Sequence, residues 1–340
     1  MNTRYGLLLV LLLILTPVVL AGSQQRQLVD AAIEHAFIPT AEEFARSADL
    51  LVRNIQAECQ GERLRSAFVD VVHQFSIIEY YRLGQINQKN RAERLFFWPD
   101  RKGTGQKQLR RLLADPARAE LNAALLAKKS VALQGLPALE RIIFSVDEIV
   151  SSADCAVARA IAENIRIIAH EVNDDWTAAR GVAWQLQHDQ EGSLYRTAEE
   201  SIAAVLTVVE STLQSMTGKK ISLLIAALEN SGTIPKNAPF WRSNQALNNL
   251  RGNLTGVQRL LIDSSLAQSA DAEEQIAFEL NTGFTMLDAA GSAIADGDAP
   301  TARKRLAALQ SILQGLSASV TDIIASNLGV VTGFNAEDGD

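Results

Sequence analysis

Apolar residues recur along this chain at alternating steps of three and four. Leu306, Leu309, Leu313, Leu316, Val320 and Ile323 make one such row, and Leu247, Leu250, Leu254, Val257 and Leu261 another. That spacing puts them on one face of an α-helix, and such faces are the seams along which helices pack side by side. The pattern predicts long helices over about 24–58, 62–84, 152–188, 194–229, 241–265, 271–290 and 301–327, with shorter ones between 104 and 145. No stretch alternates apolar and polar residues in the manner of a strand.

Helix starts are marked as well. Thr197 with Glu200 and Asp271 with Glu274 have capping-box spacing, and Asp298 stands just before Pro300. Turn-forming residues punctuate Phe96 to Gly105, Leu133 to Pro137, Gly192-Ser193, Gly232 to Pro239 and Gly291 to Pro300. Short loops between long helices favour antiparallel neighbours. The expectation is an all-α protein of two up-and-down helical bundles, 22–192 and 193–340, divided near Gly192. One continuous bundle is the alternative.

The N-terminus changes the picture. Arg4, an apolar run from Gly6 to Leu15, Pro17 and the small-residue tail Val19-Leu20-Ala21 have the order of a secretory signal peptide, 1–21, cleaved after Ala21. The run is too short, and too interrupted by Pro17, for the roughly 20 apolar residues of a membrane span. Export across the cytoplasmic membrane is therefore expected, with an uncleaved N-terminal anchor as the alternative. Losing the leader removes Arg4 alone, leaving 31 basic and 39 acidic residues and a formal charge of −8. So acidic a chain is a poor partner for nucleic acid. The two cysteines, Cys59 and Cys155, have one pairing open to them, and an oxidising compartment would preserve it. Two separately buried thiols are the other reading.

Two segments concentrate candidate chemistry. Phe96-Phe97-Trp98-Pro99-Asp100-Arg101-Lys102-Gly103 places aromatics beside a Pro-Asp turn and a basic stretch that continues through Lys107, Arg110 and Arg111. It suits an anchor that presents charge to an anion or carboxylate, or an aromatic plug at a bundle end beside a solvated basic face. Gln134-Gly135-Leu136-Pro137-Ala138-Leu139-Glu140-Arg141 opens a helix that carries Glu140 among apolar neighbours. Such a carboxylate needs a partner: the helix N-terminus, Arg101, Arg141, Arg242 or a metal. Trp241-Arg242-Ser243 could line a cleft opposite Trp98 or anchor the next helix.

These segments resemble the imelysin-like family, also catalogued as M75 peptidases. The family carries a GxHxxE motif. Gly135 and Glu140 match its ends, and Pro137 stands where the histidine belongs. The long first helix with Pro39, Trp98 to Gly103, Phe240-Trp241-Arg242-Ser243 and the terminal Gly333 to Asp340 are similar to a branch found in Gram-negative bacteria. The resemblance implies two helical bundles with a site between them, a periplasmic or outer-membrane-associated location, and a link to uptake of iron or another metal. It also implies a peptidase label. In the full motif His and Glu, three residues apart, could bind a metal from one helical face; Pro137 offers no ligand atom. The family's site carries over onto Gly135 and Glu140 alone.

No other histidine replaces the missing one convincingly. His35 lies one turn before Pro39, and His73 is out of phase with Glu79. His170 and Asp174 could share a face and a metal, but solvated or hydrogen-bonded roles are expected for His35, His73, His170 and His188 alike. No G-x-S-x-G elbow, P-loop or dinucleotide fingerprint occurs. The expected function is a non-catalytic binding protein associated with iron or other metal uptake, taking a metal ion or metal chelate. Its expected site comprises Trp98, Asp100, Arg101, Lys102, Gly135, Glu140, Trp241, Arg242 and Ser243. A metallopeptidase using Glu140 as ligand or base, and a scaffold for a periplasmic or outer-membrane protein, are the alternatives. The cofactor is unknown from sequence, a divalent metal such as iron being what the resemblance implies.

Overall fold

The computed structural model describes residues 22–145, 151–188 and 193–330. The leader, the boundary expected at Gly192 and the terminal segment from Gly333 lie outside the described residues. Among those described, the chain is helical throughout with no strand, and none of its helices is long and apolar enough to cross a membrane.

The first helix begins at residue 22 and reaches the end of α1 (Ile38–Ala57). It does so despite Pro39, which has no N–H to give to the preceding turn. The chain accommodates the proline by widening into a π-helical turn, Ile33–Phe37, closed by the Ile38 N–H on the Ile33 carbonyl. Next come α2 (Glu62–Ile78), α3 (Arg91–Leu95), α4 (Thr104–Ala114), α5 (Ala123–Leu126), α6 (Leu136–Ile143) and α7 (Ser152–Thr177). α8 (Val182–Gln187) closes the first half, and the second holds α9 (Ala198–Ser215), α10 (Ser222–Ser231), α11 (Ala246–Gln258), α12 (Ala270–Ala295) and α13 (Ala299–Ser319). Further π-helical turns occur at Met216–Ile221, Arg259–Asp263 and Val320–Ala325.

In the first half α1 packs on both α2 and α7; in the second α12 packs on α13, which also meets α10. The rows read from sequence lie inside: Leu306, Leu309, Leu313, Leu316 and Val320 are fully buried, as are Leu250, Leu254 and Leu261. A disulfide joins Cys59, just past α1, to Cys155 in the first turn of α7, with Cα atoms 5.7 Å apart.

Boundaries differ where local chemistry was not read. The helix expected to reach 84 stops at Ile78, and the one expected over 152–188 breaks after Thr177. There the chain turns so tightly that a Cβ on Gly181 would lie 1.8 Å from the Asp175 carbonyl oxygen. At α12 the cap is Ser269, which accepts from the Ala272 N–H, rather than Asp271. Thr197 and Asp298 do cap α9 and α13.

The halves meet where α2 lies against α11. A Cβ on Gly252 would stand 2.4 Å from Ser76 Cβ, and one on Gly256 2.5 Å from the Ile77 carbonyl oxygen. Without those side chains the two backbones come close, and residues one turn away face each other across the seam. One hydrophobic core runs through both halves.

Candidate functional site

The site is built on α6. Gly135, at its N-cap, has extended φ but sits against backbone: a Cβ there would lie 2.1 Å from the Leu95 carbonyl oxygen and 2.4 Å from that of Arg94. Pro137 follows in the first turn, where a missing N–H costs no helical bond. Leu136, Leu139, Ile142 and Ile143 take α6 into the core, and the same helix buries Glu140.

The partner of Glu140 is Ser243. Its backbone N–H (2.9 Å) and its hydroxyl (2.7 Å) both donate to Glu140 Oε1. The turn that presents Ser243 is sharp, with positive φ at Phe240 and Asn244, and is closed by the Gln245 N–H on the Phe240 carbonyl. Burial pushes the Glu140 carboxyl above the usual glutamate range, opposed by the two Ser243 bonds and by the charges of Arg242 and Arg141.

Around this pair lies a cavity of about 260 Å³. Trp98, Asp100, Pro137, Glu140, Arg141, Trp241 and Arg242 line it, together with Phe96, Gln106, Lys236 and Asn237. Three segments distant in sequence therefore form one wall. The Trp98 indole N–H donates to the Asn237 carbonyl (2.9 Å). Phe96 stacks between Trp98 and Phe240, with centroids 5.9 and 5.0 Å away. Asp100 accepts the N–H groups of Thr104 and Gly105, so it caps α4, and it lies 3.7 Å from Arg141.

Some expected residues take other places. Arg101 and Lys102 are exposed and are not part of the cavity wall, because Asp100 turns the chain into α4 and directs them to solvent. Gly135 serves backbone packing, and Ser243 is buried behind the wall, holding Glu140. His170 Nε2 donates to Asp49 Oδ1 (2.9 Å), and His188 stacks on Trp184.

A second polar cluster was not foreseen. Lys220, on the π-helical turn after α9, is 0% exposed. Its ammonium reaches both oxygens of Glu79 (2.9 and 2.8 Å) and the amide oxygens of Asn249 (2.7 Å) and Asn253 (2.8 Å). Those amides return N–H groups to Glu79 Oε2, and to Ser76. Burial raises the Glu79 carboxyl, but the Lys220 charge and these hydrogen bonds outweigh it and leave it below the usual carboxylate range. Lys219-Lys220 reads as a surface pair in sequence. The available signal was the polar pair Asn249 and Asn253, one turn apart on an otherwise apolar helix face.

A family model described as Peptidase_M75, Imelysin, matches residues 37–323. The chain belongs to the imelysin family. An imelysin-like protein from Psychrobacter arcticum 273-4 has the same fold, with a TM-score of 0.73 at 16% identity, covering 92% of this chain and 98% of that one. No curated protein matches. Against the imelysin motif, Gly135 and Glu140 stand at its ends, and Pro137 meets the cavity with an aliphatic ring. The donors here do not suit a bare divalent metal. Glu140 Oε1 already accepts two hydrogen bonds, Arg141 and Arg242 flank it with positive charge, and among the described residues no three His, Cys, Asp or Glu side chains cluster to hold an ion.

Proposed function

We propose that this imelysin-family chain is a non-catalytic binding protein of the periplasm that serves metal acquisition by holding a metal in chelated form. The observation that carries the reading is the joining of Glu140 to Ser243 in the wall of an aromatic, arginine-lined cavity. That environment repels a free cation yet offers stacking surface and donors to an organic chelate. The leader-like N-terminus and the imelysin resemblance support the compartment and the metal connection.

Calorimetric titration of the mature protein tests this. Ferric chelates should give saturable heats, whereas ferrous, cupric and zinc salts should give none. Refusal of every chelate overturns the proposal. The second reading is a metallopeptidase that recruits ligands other than a motif histidine, with the buried Glu140 as ligand or general base. Chelator-sensitive peptide cleavage, abolished by Glu140→Ala, would establish that reading instead.

A further inference from the structure

The Arg242 guanidinium makes no hydrogen bond or ion pair among the described residues, although it is half-buried. It stacks on the Trp241 ring, with the guanidinium carbon 4.4 Å from the ring centroid, and lies within reach of the Glu140 and Arg141 charges. Burial first, and the neighbouring Arg141 charge, pull its pKa down against the Glu140 charge that raises it. The ring contact holds the guanidinium in place while its N–H groups find no acceptor among the described residues, an arrangement matched to an incoming oxyanion.

Arg242 also belongs to two cavities. A second one, of about 330 Å³, adjoins the first and shares Gln106, Arg141, Trp241 and Arg242 with it. Lys236 lines the first cavity and Arg110 the second. Neither makes an ion pair among the described residues; Lys236 lies over the same Trp241 ring, 5.8 Å from its centroid. The site is thus a two-lobed groove with a cation in each lobe and an arginine pair at the waist, in a chain of net charge −7. The protein's overall field repels anions, so the cations here act locally rather than as part of a general basic surface.

We infer that the two-lobed groove binds a small organic polyanion, with one oxyanion group on Arg242 and Arg141 at the waist and at least one more reaching Arg110 or Lys236. The inference rests on the reading of this cavity as a ligand site and names the ligand's chemical class. Carboxylates and phosphates share the required chemistry.

The test uses metal-free probes and the mature chain. Citrate and succinate represent carboxylates, pyrophosphate represents phosphates, and acetate and orthophosphate serve as single-group controls. Binding is followed by calorimetry and by tryptophan fluorescence, to which Trp241 should contribute. A polyanion should bind at least tenfold more tightly than its single-group control, and the stronger of citrate and pyrophosphate identifies the oxyanion. Arg242→Ala should weaken that binding at least tenfold. Arg110→Ala, at an exposed position where folding is not at stake, should weaken it several-fold and remove part of its salt dependence. Failure of every metal-free polyanion to bind, equal affinity for the single-group controls, or affinity unchanged in both variants would each overturn the inference. Ferric chelates bound equally well by Arg242→Ala would overturn it and leave the binding-protein reading standing. Metal-free polyanions bound while ferric chelates are refused would do the reverse.

Discussion

Ser243 gives both its N–H and its hydroxyl to one oxygen of Glu140, across 103 residues of chain. The bond fixes the α6 carboxylate against the turn that carries Trp241 and Arg242, so the wall of the cavity is held from behind. Ser243→Ala should lose the hydroxyl bond and cost about 1.5–3 kcal/mol, the usual worth of a hydrogen bond to a charged group, measured by urea denaturation near neutral pH. Retained stability would mean that the backbone N–H alone satisfies Glu140.

Glu140 should also leave a mark on the pH dependence of stability. Because burial raises its carboxyl in the folded state, the native protein keeps this proton to higher pH than the unfolded chain does. Its contribution therefore falls as pH climbs from the ordinary glutamate value to the raised one. Glu140→Gln should flatten that part of the stability profile, and an unchanged profile in denaturation series on either side would contradict the assignment.

Glu79 should behave in the opposite sense. Its folded carboxyl is held below the usual range, so the stability it supplies is present above the unfolded value and lost as pH falls toward the folded one. Lys220→Met would leave Glu79 buried without its counter-charge and should cost about 3–5 kcal/mol. Adding Glu79→Gln to that variant should recover part of the loss. A double-mutant cycle showing simple additivity would mean the pair is not coupled.

Gly135→Ala tests the close approach of α6 to the end of α3. Its Cβ would overlap the Leu95 and Arg94 carbonyls, neither of which can turn aside like a side chain, so a loss of about 1–3 kcal/mol or more is expected. The start of α6 must shift, and ligand affinity should fall with it in titrations below the melting range.

Pro137→His would rebuild the family's histidine three residues before Glu140. If the neighbouring arginines and the Ser243 bonds are what make the site unfit for a bare ion, this change alone should bring little zinc binding. Pro137→His combined with Ser243→Ala should bring more, measured by calorimetry. Strong binding by the single variant would place the whole deficit on the missing imidazole.

The helical architecture was readable because burial repeats every three to four residues, as in the fully buried row from Leu306 to Leu316. The Trp98, Glu140 and Trp241 segments were also legible, since aromatics and a carboxylate at helix starts are conspicuous. Their meeting was not, because proximity across a hundred residues leaves no local pattern. Where Arg101 and Lys102 stand was not legible for a related reason: composition shows a basic run, but only the cap formed by Asp100 decides which of its members face solvent. Lys220 was missed because a buried lysine is recognisable only through its partners, and those lie on α2 and α11.

That last arrangement bears on how the molecule can be divided. Glu79 and Ser76 belong to the first half of the chain, whereas Lys220, Asn249 and Asn253 belong to the second. A fragment ending near Gly192 would keep an acid without its base, and the remaining fragment a base without its acid. The halves should therefore act as complementary pieces, each soluble and ordered chiefly when the other is supplied, and co-expression would be the practical route to either one.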